Sequence, residues 1–281
     1  MPKISVIGIA GNSVFMYVDH FHQKGETVSA DGIYEEIGGK GINQAVAARR
    51  MGAEVSFLCA VGDDEAGEKC IKETEKLGVR GFYKIKEGKS TPLAFILTDS
   101  SGENRVTVHK SAQLSPEDVF SFESEIASSD ILLLQNEVPA KVNETAAELA
   151  KAHGVKIILN PAPIRDISDR LAEVIYLVTP NEQEARAITA GRFKNSVTTL
   201  GECGCLVNGR TSVPSISVKA VDTTGAGDTF NGVLAVCLAE GMDLTEASKY
   251  AVCASGLSVT KRYVLNAIPT KEEIERFMKN E

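Results

Sequence analysis

The sequence predicts an open, doubly wound α/β fold, because short apolar runs alternate with helical patterns along most of its 281 residues. The runs are continuous rather than alternating, as strands buried on both faces of a parallel sheet require. The segments between them place small apolar residues at helical spacing. Residues 4–9 read as the first buried strand, and 41–51 as a helix carrying Ala45, Ala47 and Ala48. A strand over 55–61 and a helix over 66–77 follow. Three further strands are expected at 131–135, 156–159 and 175–178, with a helix over 141–153 after the first of them. The last third offers helices over 228–240 and 244–261. Two segments break the alternation. Residues 15–34 mix charge, histidine and β-branched residues without helical period, and 91–109 read as a hairpin turning at Ser-Ser-Gly-Glu-Asn. Both are expected to leave the main sheet as a small β lid, formed by roughly 12–35 and 91–110. With no repeat or low-complexity linker in sight, 1–281 are expected to form a single domain.

Composition narrows the class of function. Thirty basic against 38 acidic residues give a net charge of −8, which offers neither nucleic acid nor a membrane surface an attractive face. Hydrophobic residues at 43% and charged residues at 24% exclude disorder as the main state. No apolar run reaches the roughly 20 residues of a membrane helix. The opening MPKISVIGIAG lacks the charged region and cleavage site of a signal peptide, so a cytoplasmic protein is expected. The six cysteines are scattered, mostly in apolar stretches, as reduced thiols of such a protein would be. Cys203 with Cys205, and His20 with His22, lack the further neighbours that a zinc site needs.

The most informative stretch is VDTTGAGDTFNG, residues 221–232. Gly225, Ala226 and Gly227 lead into a helix with Phe230, Val233, Leu234 and Cys237 on one face. Backbone N–H groups at such a start point outward together, the helix dipole favours an anion there, and small residues let a phosphate approach. Asp228 stands at that mouth, where a carboxylate can accept the proton of an attacking hydroxyl. A glycine turn followed by a capping Asp reads equally well from the residues alone. Gly38-Gly39-Lys40-Gly41-Ile42-Asn43 offers close backbone approach with Lys40 and Asn43 as donors for hydroxyls, or else a plain turn before a helix. Thr179-Pro180-Asn181-Glu182-Gln183-Glu184 follows an apolar strand, where ligands of open α/β sheets bind, and equally fits an Asn-capped helix. Thr199, Gly201 and Gly204 form another strand end with glycines, suited to lie against a nucleotide, and Glu137 closes a further strand. Other phosphate motifs fail: Gly88-Lys89-Ser90 has Tyr83 where a P-loop needs its first glycine, and Phe230 stands at the third glycine of a dinucleotide fingerprint.

Taken in order, these stretches resemble the PfkB carbohydrate kinase family, also called the ribokinase-like family. GGKGINQAVAARRMGAEVSFLCAVGDDEAGE is similar to its N-terminal signature and VDTTGAGDTFNGVLAV to its C-terminal one, with LNPAP, TPNEQEA and TLGECG between them. Within the family the likeness is closest to the ribokinases, through GETVSA, LLLQNE and LNPAP. The resemblance implies Asp228 as catalytic base, with Gly225, Ala226 and Gly227 as the anion hole. It implies sugar contacts at Gly39, Lys40, Gly41, Asn43 and Glu137. It places Asn181 and Glu184 near magnesium, Glu184 through water, and the triphosphate of ATP, with Thr199, Gly201, Gly204 and Gly227 along the nucleotide. Asp222 and Thr224 match ligands of a monovalent cation.

Three departures accompany the likeness. The family's sugar-binding Asp after the first strand aligns here with Ser13, beside which Asn12 offers an amide as substitute. The connector from Asn181 to Thr199 is short by about a helix. Lys261 to Asn266 lacks the family's glycines, which speaks against the cation site. The expected function is ATP-dependent phosphorylation of the primary hydroxyl of ribose or a related furanose. The alternatives are an adenosine-like nucleoside kinase on the same fold, and a weakly catalytic sugar-binding regulator. The lid is also the expected surface of a homodimer.

Overall fold

The computed structural model describes residues 1–280. The first part of the chain forms β1 (Lys3–Ile7), β2 (Gly11–Tyr17), β3 (Gly32–Gly38), α1 (Lys40–Arg50), β4 (Glu54–Gly62), α2 (Glu65–Lys76), β5 (Arg80–Lys86), β6 (Leu93–Thr98) and β7 (Asn104–His109). Next come α3 (Pro116–Phe120), α4 (Glu123–Ala127), β8 (Ile131–Gln135), α5 (Ala140–Ala152), β9 (Lys156–Asn160), α6 (Asp169–Ala172), β10 (Leu177–Val178) and α7 (Glu182–Ala187). The chain ends in β11 (Val197–Thr199), β12 (Cys205–Val207), β13 (Thr211–Val213), α8 (Ala226–Ala239), α9 (Leu244–Ser258) and α10 (Lys271–Asn280).

The central sheet has the order β10-β9-β8-β1-β4-β5, and each of these pairings is parallel. Its strands alternate between two apolar cores. Ile4 and Val6 of β1, with Ile131 and Leu133 of β8, enter one core; Ile7, Leu132 and Leu134 enter the other. This period of two explains why the runs read as continuously apolar. Parallel bridges Val178–Ser196 and Asn181–Thr199 carry the sheet on to β11, after which β12 and β13 pair antiparallel.

The helices α1 and α8 touch along their backbones. A Cβ on Gly232 would lie 2.5 Å from the Ala47 Cβ and 2.6 Å from the Gln44 carbonyl oxygen. The Ala-rich face of α1 is what permits this approach, and it sets Asn43 and Gln44 against the start of α8.

A separate four-stranded sheet has the order β3-β2-β6-β7, with β2 and β6 parallel. The irregular 15–34 segment thus contributes two paired strands, and the 91–109 segment is the antiparallel pair β6–β7. Phe15 and Ile96 on the underside of this sheet pack against Val264 of the body. Some boundaries differ from expectation. The 175–178 strand shrinks to Leu177–Val178, the helix expected at 228 begins at Ala226, and the one expected to reach 261 ends at Ser258. In the short connector after Asn181, α7 is six residues long, and β11 still returns in parallel beside β10.

Candidate active site

The site is built around the N-terminus of α8. Gly225, the residue before its first turn, has φ of 75°, and a Cβ there would collide with the Val264 side chain. Only glycine satisfies both demands. Ala226 and Gly227 are already helical, so the expected turn is a helix start; the Ala226 N–H donates back to the Thr223 carbonyl at 3.3 Å, and the Gly227 N–H follows it in the open first turn.

Asp228, in the same first turn, is buried, with 6% of its surface exposed. Asn43 Nδ2 donates to its Oδ2 at 2.9 Å, and Gln44 Nε2 donates to its Oδ1 at 3.1 Å. Gln44 is itself oriented: its Oε1 accepts from Gln135 Nε2 at 2.8 Å, and its amide also reaches Asn160 Oδ1 at 3.3 Å. Each carboxylate oxygen keeps acceptor capacity beyond these bonds, which a substrate hydroxyl can use. The sequence reading found Asn43 but missed Gln44, Gln135 and Asn160. The available signal was three amides inside otherwise apolar elements, where a polar side chain needs a specific partner.

Glu137 lies at the N-terminus of α1, where the Lys40 backbone N–H donates to its Oε2 at 2.8 Å. Burial pushes the Glu137 carboxyl above the ordinary carboxylate range; the Lys40 charge opposes this, and Asp228 adds to it. The Lys40 ammonium is held above its usual value chiefly by Asp228, against burial, with Glu137 and Glu184 contributing. One cation thus sits in the field of three carboxylates. Gly39 caps α1 with φ of 118°, and a Cβ on Gly41 would lie 2.7 Å from the Gly8 Cα. These glycines let α1 seat against Gly8 and Ile9, the residues just after β1.

Ser13 is buried on the underside of the second sheet, with its hydroxyl against Gly38. Asn12 does not substitute for a carboxylate here. Strand alternation turns it to the opposite face, where it donates to Glu35 at 3.1 Å and accepts from Lys69 at 3.2 Å.

On the other side of Gly227 opens a cavity of about 500 Å³. Thr199, Gly201, Gly204 and Gly227, all expected along a nucleotide, line it together. Its apolar walls, including Ile216, Val218, Val252 and Val259, were not read from the sequence, because ordinary aliphatic residues carry no motif. Asn181 and Glu184 sit outside this lining and form a reciprocal cap: Glu184 N donates to Asn181 Oδ1 at 2.8 Å, and Asn181 N to Glu184 Oε2 at 2.9 Å.

Asp222 accepts from the Thr224 N–H at 2.9 Å and from the Tyr263 N–H at 3.1 Å, while Thr224 Oγ1 accepts from Asn104 Nδ2 at 2.8 Å. Among the described residues, no cluster of three or more His, Cys, Asp or Glu is placed to hold a metal. Cys205 is buried and Cys203 exposed, and His20 pairs with Glu26. No described helix is long and apolar enough to cross a membrane.

A buried carboxylate between a glycine-lined turn and a roomy cavity, at the N-terminal end of a helix, suits a small-molecule kinase. The chain belongs to the pfkB family of carbohydrate kinases, whose family model matches residues 1–271. It is 35% identical to a ribokinase of Haemophilus influenzae, over 99% of this chain and 98% of that one. Its structure is similar to that of a Thermotoga maritima ribokinase, with a TM-score of 0.89 at 34% identity over the whole of both chains. An Arabidopsis thaliana ribokinase complexed with ribose and ATP matches with a TM-score of 0.87 at 25% identity, over 99% of each chain.

Proposed function

We propose that the protein transfers the γ-phosphoryl group of ATP to the primary hydroxyl of ribose or a related furanose, with Asp228 as general base. The observation that carries this reading is the position of Asp228, held by Asn43 and Gln44 between the Lys40–Glu137 turn and the 500 Å³ cavity. Asn43, Lys40 and Glu137 orient the sugar, with Gly39 and Gly41 shaping the turn around it. Asp228 takes the hydroxyl proton as the oxygen attacks phosphorus. The amides at Gly225, Ala226 and Gly227 stabilise the charge that develops on the phosphoryl oxygens. Thr199, Gly201 and Gly204 seat the nucleotide. The sheet formed by β2, β3, β6 and β7 acts as a lid that excludes water, within a chain that works as one domain.

Magnesium suits the oxygen donors on this side of the site, since it keeps several waters and binds few carboxylates. Glu184 accepts from Asn181 through one oxygen only, which leaves the other to hold a water of the ion. When bound, the ion neutralises charge on the triphosphate. The monovalent site fits less well: both Asp222 oxygens already accept backbone N–H groups, and Tyr263 stands in the loop that would close it. Potassium is therefore expected to change the rate little.

The lid exposes Ile33, Phe95, Val106 and Val108, which makes it the proposed surface for pairing two copies. A reaction fed by ATP belongs in the cytoplasm. The test of substrate class is kcat/KM for ribose beside fructose, deoxyribose and adenosine. Ser13 offers one uncharged hydroxyl where a carboxylate would hold two sugar hydroxyls, a loss on the order of 10- to 100-fold. A furanose should win the panel, with ribose used less efficiently than a carboxylate at this position would allow. Adenosine winning would move the reading to a nucleoside kinase, and no turnover with any acceptor would leave a sugar-binding regulator.

A further inference from the structure

We infer that Glu36 ties the lid to the phosphate-binding turn, so that ordering of the lid by one substrate positions the turn for the other. The inference rests on the reading of Asp228 and the Gly225–Gly227 amides given above.

Glu36 lies on β3, the strand that runs directly into the Gly38–Gly39 turn, and its register partner on β2 is Ser13. Its carboxylate is buried and crosses from the lid to the body. Oε1 accepts from the Val264 N–H at 2.8 Å and Oε2 from the Leu265 N–H at 3.3 Å. The preceding N–H, that of Tyr263, goes to Asp222 at 3.1 Å. Three consecutive N–H groups are thus gripped by two carboxylates, one from the lid and one from the turn that leads to Gly225. Val264 fills the space beside Gly225 so tightly that a Cβ there would collide with it. A displacement of Glu36 therefore reaches the start of α8 through one residue.

Two further observations point the same way. Tyr263 holds φ of 68°, a left-handed conformation that a bulky side chain keeps only where its surroundings impose it. Its ring stacks on Tyr34, two residues before Glu36, with centroids 3.7 Å apart and planes at 21°. The other edge strand of the lid begins against the same turn, where Asn104, the first residue of β7, donates to Thr224 at 2.8 Å. One edge of the lid, β7, thus touches the 222–225 turn directly, and the other, β3, reaches it through residues 263–265, which Asp222 and Gly225 contact. Burial with two donated N–H groups is also an environment that Gln reproduces in part and Ala not at all.

Coupling of this kind is reciprocal: the sugar tightens nucleotide binding by the same factor as the nucleotide tightens the sugar. The test measures the Kd of ribose and of a non-hydrolysable ATP analogue, each alone and each in the presence of the other. It also follows amide exchange over residues 222–228 without ligand. In the unsubstituted protein the coupling should be at least about fivefold, the usual lower range for linked sites. In Glu36→Ala it should fall to near unity while each ligand alone binds within about threefold of its former affinity, and 222–228 should exchange about tenfold faster with β8 and β9 unaffected. Glu36→Gln, which keeps one acceptor, should lie between the two and guards against misfolding of the alanine variant. Coupling retained in Glu36→Ala, or both affinities weakened equally with the factor intact, would overturn the inference. If ribose and the analogue fail to bind the unsubstituted protein, the substrate reading has failed, and the exchange arm alone decides the clamp: unchanged or uniformly faster exchange overturns it.

Discussion

Gln44 shows how much one side chain next to a motif can carry. It donates to Asp228 Oδ1 while accepting from Gln135, so the Asp228 carboxylate is fixed to β8 of the main sheet through two amides. Gln44→Met keeps the volume and removes the donor. We expect kcat to fall about tenfold, the scale of one lost hydrogen bond to a charged group, with the KM for ATP little changed. Steady-state kinetics with both substrates varied would check this. Glu137 makes a prediction about pH. Burial raises its carboxyl, so the neutral form persists at pH values where an ordinary glutamate is ionised. A sugar that needs the carboxylate as acceptor should therefore show a KM that climbs on acidification from a higher pH than usual, and Glu137→Gln should flatten that climb. The stability effect runs the other way. A carboxyl raised in the folded state contributes stability at acid pH and loses it as pH rises through the raised value. Glu137→Gln should accordingly melt higher than the unsubstituted protein at neutral pH, and thermal melts at two pH values would check it.

The contact between α1 and α8 decides whether these residues meet at all. Gly232 is ordinary in the sequence, yet a methyl group there would press on Ala47, the Gln44 carbonyl and the Ala48 N–H at 2.5 to 2.8 Å. Backbone atoms cannot swing aside, so Gly232→Ala should destabilise by about 1–3 kcal/mol through overpacking. At roughly 2–4 °C per kcal/mol for a chain of this size, the loss is visible in a melt. Activity should fall further than the melt suggests, because the same shift moves Asn43 and Gln44 off Asp228. Helices α1, α2, α5, α8 and α9 were legible because their small and apolar residues recur with period, while α3, α4, α6, α10 and the ends of short strands were not. Leu177–Val178 is only two residues; Tyr176 before it keeps one backbone bond to Ile157 of β9, and Ile175 lies outside the strand despite being apolar. The stretch before Tyr34 read as part of a β lid, but the bounds of its two strands were not legible. Its two sheet faces carry aromatic and charged residues in alternation, with Phe15 and Tyr34 beneath and Glu35 and Ile33 outside.

At the scale of the whole molecule, the order of motifs along the chain was readable, and their convergence was a matter of topology. Residues as far apart as Asn43, Glu137 and Asp228 meet because β8 of the parallel sheet delivers Glu137 to its C-terminal end, while the close packing of α1 on α8 sets Asn43 against Asp228 beside it. The apolar walls of the cavity beside Gly227 and the Glu36 link to Val264 left no trace in the sequence. Aliphatic residues line any core, and a lone glutamate on an edge strand looks solvated. What the fold assembles is one carboxylate between two substrates, and that is the claim to test first. In Asp228→Asn the two amides still have an acceptor, so the site should keep its shape, while the proton acceptor is gone. We predict that kcat for the preferred sugar falls by roughly 10²–10⁴, the contribution of a positioned general base, with the Kd of a non-hydrolysable ATP analogue within about threefold of its former value. Turnover near that of the unsubstituted protein would contradict the account.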